Sequence, residues 1–233
     1  MRYGLNRNQL KYIAATAMLL DHIGYMFCAK GSLAEFALRL AGRLTAPVMC
    51  FFLVEGFVHT SSRMKYCFRL LAGALLSQIP YTLVFFGKIR ADRWNMMASL
   101  LLSFLLLWAR ETIQDDLRRG IVFIIVLSAS IFCDWSMFAP ALVLMLYRSR
   151  GNTDRQARSY CLWAAVEAAC SFFPPDGRPW QQSLWELGVF LFIPFLYAWN
   201  GKKGSSAPFH KWFFYAFYPL HLAALYLIRM HLS

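Results

Sequence analysis

Nine long apolar runs, separated by short basic or Gly/Pro-rich segments, constrain this chain more than any other feature. They fall at roughly 9–28, 37–59, 65–87, 94–110, 119–133, 137–148, 157–173, 183–199 and 209–229. A helix needs about 20 mostly apolar residues to cross a bilayer. Backbone inside lipid must satisfy its own hydrogen bonds, so repeated runs of this length mean helices. The short alternating segments of an outer-membrane barrel are absent. Only 15% of the 233 residues are charged, against about 25% in a soluble domain. The expectation is an all-α fold, a polytopic transmembrane helical bundle with about nine spanning helices. The range is eight to ten, because the fifth and sixth runs are short. No linker divides the chain, so 1–233 reads as a single domain. The first run holds Asp21 and His22 and has no small-residue cleavage site, which makes it a retained helix rather than a signal peptide.

The formal net charge is +12, from 24 Lys+Arg against 12 Asp+Glu. In a soluble protein that balance points to nucleic acid. Here the cations follow loop ends rather than one face, as in cytoplasmic loops of membrane proteins, and nucleic-acid binding is set aside. With the N-terminus inside, alternation leaves Lys30, Lys88, Arg90, Arg93, Arg178 and Arg229 outside. Fifteen cations, from Arg2 and Arg7 to Lys202, Lys203 and Lys211, lie inside. The expected location is a cytoplasmic membrane with a cytoplasmic N-terminus. The six cysteines form no CxxC pair and sit mostly within apolar runs, so neither a disulfide framework nor a metal site is expected.

Ionisable groups within such runs are costly and therefore informative. Lys11 and His22 are eleven residues apart in the first run. Near 3.6 residues per turn that spacing puts both on one face, roughly 16 Å apart along the axis. Asp21 points about 100° away from His22 and cannot pair with it inside the helix. A second group comprises Arg39, Arg43, Glu55, His59 and Arg63. A guanidinium in apolar surroundings wants a carboxylate or a phosphate. Two readings are open: Glu55 is its internal partner, or a phosphorylated ligand is. Gln78 before Pro80, Asn95, Asp134, Glu167 and Glu186 read individually as caps or helix–helix contacts. Pro219 in Tyr218-Pro-Leu-His221 permits a kink. No Walker loop, GxGxxG, HExxH or nucleophile elbow occurs.

Taken together, several landmarks resemble the TraX family of conjugative-transfer membrane proteins. They are Lys11 to Asp21-His22, Gly42-Arg43 with Pro47, Val54-Glu-Gly-Phe-Val-His59, Arg63, Arg69, Ser77-Gln-Ile-Pro-Tyr81, Asn95, Asn200-Gly-Lys-Lys203 and Phe217-Tyr-Pro-Leu-His221. The family's name-giving member is linked to acetylation of a pilin N-terminus. A wider similarity is to the transmembrane acyltransferases, including acyltransferase family 3, whose first helix has a basic residue and a His at the Lys11–His22 spacing. That group's Phe-Phe-x-x-Ser-Gly-Phe stretch is matched by Phe51-Phe-Leu-Val-Glu-Gly-Phe57, with Glu55 in place of Ser. The chain is shorter than a family 3 membrane domain, so the resemblance implies a partner or homo-oligomer supplying further helices.

The resemblance and the Lys11–His22 register imply an acyltransferase that uses acetyl-CoA or another acyl-CoA from the cytoplasm. Lys11, Arg63, Arg69, Lys202 and Lys203 would meet the CoA phosphates. His22 would act as general base on an amine or hydroxyl acceptor: a peptide N-terminus, a glycan or a lipid. Asp21 would orient a helix contact or the His, and Arg43 or Asn95 would stabilise the developing oxyanion. The competing expectation is a transporter or flippase for a charged small molecule or lipid-linked group, with a non-catalytic envelope scaffold as a third.

Overall fold

The computed structural model describes residues 4–173 and 179–232, with Gln182 and Lys211 described in their backbone only. Arg2, Arg178, the side chain of Lys211 and most of the 174–179 loop, all used in the charge argument, lie outside the described residues. The fold is all-α. The helices are α1 (Arg7–Phe27), α2 (Leu33–Gly42), α3 (Thr45–His59), α4 (Arg63–Phe86), α5 (Met96–Thr112), α6 (Asp116–Ser130), α7 (Phe138–Arg148) and α8 (Thr153–Ser171). A 3-10 helix (Trp180–Leu191) follows and leads into α9 (Phe192–Ala198), and α10 is Pro208–Leu232. Every apolar run coincides with helical structure. Among the described residues, three stretches are long and apolar enough to cross a membrane: Leu33–His59, Arg63–Phe86 and Pro208–Leu232.

Two runs differ from the uninterrupted helices expected. The second starts earlier, at Leu33, and breaks after Gly42. Pro47 accounts for the break: it has no N–H for the Arg43 carbonyl, and its ring crowds that carbonyl four residues back. The helix restarts at Thr45, which puts Pro47 in a first turn where a missing donor costs nothing. The eighth run opens as a twelve-residue 3-10 helix, long for its kind. In that geometry residues three apart eclipse, so Ser183, Glu186 and Val189 share one row. Ser183 and Val189 are buried in it.

The chain forms two compact units. Unit 1 comprises 1–49, 149–217 and 227–233, and unit 2 comprises 50–148 and 218–226. In unit 1, α1 packs on α2, α2 on the 3-10 helix, and the 3-10 helix on α8 and α9. Gly188 makes the second of these contacts possible, because a Cβ there would overlap the Leu40 carbonyl. Tyr160, fully buried, donates its hydroxyl to the Val189 carbonyl at 2.7 Å and ties α8 to the 3-10 helix. In unit 2, α4, α6 and α7 pack on α5. Phe57, Tyr66 and Trp108 stack edge-on around the buried ring of Phe104. Along α4, Met64, Phe68, Leu75, Leu76 and Ile79 are each more than half exposed, as a lipid-facing helix surface requires.

Candidate functional site

Helix α1 carries the site, and its start is unusually well secured. Asn6 caps it reciprocally with Gln9: Gln9 N–H donates to Asn6 Oδ1 at 3.1 Å, and Asn6 N–H to Gln9 Oε1 at 2.9 Å. The segment after α9 then closes over this end. Leu5 N–H donates to Ala198 O at 2.7 Å, Asn200 N–H to Leu5 O at 3.1 Å, and Arg7 N–H to Lys202 O at 2.9 Å. Asn8 Nδ2 donates to Ser205 O at 2.7 Å. Gly201 and Gly204 both take φ +77° to make the wrap, a conformation natural only to glycine. Arg7, Lys11, Lys202 and Lys203 are thereby brought to one end of unit 1, with both loop lysines exposed. The Lys11 ammonium lies 5.3 Å from the centre of the Phe214 ring. Its neighbour Tyr12 hydrogen-bonds His210 Nδ1 through its hydroxyl at 2.7 Å.

About one turn beyond mid-helix, α1 presents Asp21 and the buried His22. Asp21 meets the C-terminal end of α2. Arg43 Nη2 donates to both Asp21 oxygens at 3.1 Å, and Arg39 Nε lies 3.6 Å from Asp21 Oδ1. From the 3-10 helix, Glu186 accepts from Arg43 Nη1 at 3.3 Å. The participating side chains keep only 11–14% exposure. Burial would make each charge expensive alone; two guanidiniums against two carboxylates leave no net charge. The Arg39 guanidinium also lies over the rings of Tyr25 and Trp185, at 5.4 and 5.1 Å from their centres. Gly42 fixes how closely α2 approaches α1, since a Cβ there would overlap Asp21. From α8, Glu167 is within electrostatic reach of Arg43 and Glu186. Its Oε2 is buried with no hydrogen-bond partner, as is Ser183 Oγ.

This geometry revises several expectations. Two of Arg43's carboxylate partners are Asp21 and Glu186. Glu55, the internal partner weighed from sequence, belongs to unit 2 and pairs with His59 at 3.7 Å. Arg43 is thus oriented from two sides, through Nη1 by Glu186 and through Nη2 by Asp21. Asn95 is corrected more firmly. It is fully buried as the cap of α5, where its Oδ1 accepts from Met97 N–H at 3.0 Å. Its two amide hydrogens go to Ala74 O at 2.7 Å and Gln78 Oε1 at 2.9 Å. An amide has two donors, so none remains for an oxyanion. Gln78 in turn donates to the Arg90 and Arg93 carbonyls, the helix-end contact its position suggested.

Arg63 and Arg69 belong to unit 2, where their guanidiniums lie 4.5 Å from the Phe57 ring centre and 5.3 Å from that of Tyr66. Lys11, Asp21, His22, Arg43, Lys202 and Lys203 all belong to unit 1. Glu186, read from sequence as a cap or helix–helix contact, is the carboxylate through which the 3-10 helix joins this cluster. Among the described residues no group of three or more His, Cys, Asp or Glu is arranged to hold a metal ion.

Comparison with known proteins agrees with the architecture. The family model described as TraX protein matches residues 6–229. A "Probable fimbrial assembly protein FimC, serogroup H1" of Dichelobacter nodosus is 32% identical over 240 residues, covering 97% of this chain and 96% of that protein. No solved structure matches.

Proposed function

The chain belongs to the TraX family, and from that premise we propose that it is an integral membrane acyltransferase, most simply an acetyltransferase drawing on cytoplasmic acetyl-CoA. It crosses the bacterial cytoplasmic membrane several times with its N-terminus inside. The observation that carries the reading is the layout of α1 within unit 1. One end gathers Arg7, Lys11, Lys202 and Lys203; the other buries His22 beside the Asp21–Arg43–Glu186 cluster. The 11-residue offset between Lys11 and His22 amounts to roughly 16 Å of helix. A pantetheine arm has comparable reach, with phosphates among the cations and the thioester near the imidazole. Arg63 and Arg69 remain further candidates for phosphate binding.

In this mechanism the acceptor amine or hydroxyl attacks the thioester carbonyl carbon while His22 takes its proton. The carbon–sulfur bond then breaks, and the CoA thiolate leaves with the proton from His22. The ion-pair cluster holds α2 and the 3-10 helix against α1 and so fixes the segment bearing His22. Asp21 keeps the sequence-based role of orienting a helix contact. The relative's name, a fimbrial assembly protein, supports a surface-appendage subunit as acceptor.

The test uses membranes containing the full chain, labelled acetyl-CoA, and a peptide with a free N-terminus beside an envelope fraction as acceptors. Label should move to an acceptor and be lost with His22→Ala while the variant stays folded. Unchanged transfer by His22→Ala would remove that residue from the chemistry. Flux of a solute across sealed vesicles with no acetylated product would replace the reading with transport.

A further inference from the structure

One end of unit 2 gathers cations without matching carboxylates. Helix α3 ends there at His59, α4 starts at Arg63, and α5 and α7 finish at Thr112 and Arg148. Stacked rings join the four helices. The centres of Phe57 and Tyr66 lie 5.3 and 4.9 Å from that of Phe104, and Phe57 lies 6.0 Å from Tyr147. Three of these rings carry a guanidinium: Arg63 at 4.5 Å from the centre of Phe57, Arg69 at 5.3 Å from Tyr66 and Arg110 at 6.0 Å from Tyr147. Among the described residues no carboxylate pairs with any of the three. The acids at this end are taken. Glu55 meets His59 at 3.7 Å, Glu111 accepts from the Tyr147 hydroxyl at 2.6 Å, Asp115 accepts from Arg118 N–H at 2.7 Å, and Asp116 pairs with Arg119.

Arg110 suits its place in the last turn of α5, where the helix dipole favours a cation. Arg63, Lys65 and Arg69 occupy the first two turns of α4, where the dipole opposes them, and the first turn holds no acidic residue. Arg69 Nε is moreover buried without a hydrogen-bond partner. Lys65, Arg69, Ala72 and Leu76 succeed one another at spacings of four, three and four, so they form one stripe along α4. Lys65, Ala72 and Leu76 are exposed in it, and Arg69 is partly buried. The stripe borders the exposed apolar face that holds Phe68, Leu75 and Ile79. A pair of cations therefore stands at the head of a lipid-facing surface.

We propose that Lys65 and Arg69 bind the phosphate of an anionic phospholipid whose acyl chain lies along Ala72 and Leu76. A guanidinium offers phosphate oxygens a planar fork of donors, and Lys65, one turn away on the same stripe, adds an ammonium. Arg63 and Arg110 keep the surroundings positive. The stripe selects a lipid as the source of the phosphate: a soluble phosphate meets the same charges but gains nothing from Leu76. The charge selects the headgroup. A zwitterionic lipid brings its own ammonium among these cations, whereas a glycerol headgroup brings none. The site lies wholly within unit 2 and does not rest on the acyl-transfer reading; it gives the phosphate-binding capacity of Arg69 to a lipid rather than to the acyl donor.

The experiment uses the purified full chain in uncharged detergent micelles, titrated with dioctanoyl phosphatidylglycerol. Dioctanoyl phosphatidylcholine, inorganic phosphate and CoA are run in parallel, and thermal unfolding is the readout. Phosphatidylglycerol should raise the unfolding temperature saturably, at a half-saturating mole fraction well below that of phosphatidylcholine. Arg69→Met should raise that fraction about tenfold, and Lys65→Met about threefold. Lys65→Met alters only an exposed side chain, so it reports on binding even where Arg69→Met disturbs folding. Three results overturn the proposal: no saturable response to phosphatidylglycerol, equal responses to the two lipids, or a phosphatidylglycerol response that Lys65→Met leaves unchanged. Stabilisation by CoA or inorganic phosphate that Lys65→Met weakens, exceeding that by the lipid, also overturns it and returns these cations to a soluble phosphate.

Discussion

Substituting Asp21 by Asn removes one carboxylate from a cluster whose sum is two positive and two negative charges, leaving one guanidinium charge uncompensated. Removing one partner of a buried pair costs about 3–5 kcal/mol. These side chains keep 11–14% exposure, which places the expected loss near the lower end, about 3 kcal/mol. That is a shift of over ~100-fold in the folding equilibrium. Arg43→Met leaves the opposite imbalance, with Glu186 facing Arg39 and the residual charge of Asp21, and should cost a similar amount. The double variant removes one charge of each sign and is neutral again. Its loss should fall well short of the sum of the two single losses, with a coupling of about 2 kcal/mol. Equilibrium unfolding of the four proteins in mixed micelles, followed by helical circular dichroism, measures the cycle. A coupling within about 0.5 kcal/mol of zero would mean that solvent or other groups screen these charges, and the account of why α2 docks on α1 would fail.

Gly42→Ala should reproduce most of the Asp21→Asn defect without touching a charge, because the new methyl displaces the Asp21 carboxyl from Arg43; wild-type stability in the same titration would count against the close approach. Asn95→Ala strands the Met97 N–H and two carbonyl acceptors, so a loss of about 2–3 kcal/mol is expected, with thermal unfolding as the check. Lys202→Ala with Lys203→Ala alters only exposed side chains. It should leave unfolding within about 0.5 kcal/mol of the parent while raising the acetyl-CoA concentration needed for half-maximal transfer; an unchanged requirement would exclude this loop from phosphate binding.

The helices were legible because lipid-compatible runs are a property of contiguous sequence. The break after Gly42 was not read from the sequence, although Pro47, four residues beyond Arg43, carried its signal. Partner choice was not legible. Arg43 reaches Asp21 across 22 positions and Glu186 across 143, and Glu55, nearer in sequence than Glu186, was the natural local guess. Asn95 shows the same limit in reverse. A buried amide looks chemically available until both of its hydrogens are found on Ala74 and Gln78. The row of Ser183, Glu186 and Val189 was hidden for another reason: a 3.6-residue period spreads them over different faces, and only the 3-10 winding aligns them.

The closure of residues 198–205 over the start of α1 also orders events during synthesis. Unit 2 is nearly one continuous stretch and can assemble while the ribosome is still translating α8. Unit 1 cannot. Asp21 and Arg43 emerge early and can find each other, but Glu186 and the Asn200–Ser205 strap arrive only after some 140 further residues, as the 143-residue separation of Arg43 and Glu186 records. Until then the nascent chain holds the Arg39 and Arg43 guanidiniums without Glu186, the carboxylate that pairs with Arg43 from the 3-10 helix. A truncation that stops short of the 3-10 helix would therefore present quality-control proteases with a polar, unlatched first helix, while its middle helices were already packed.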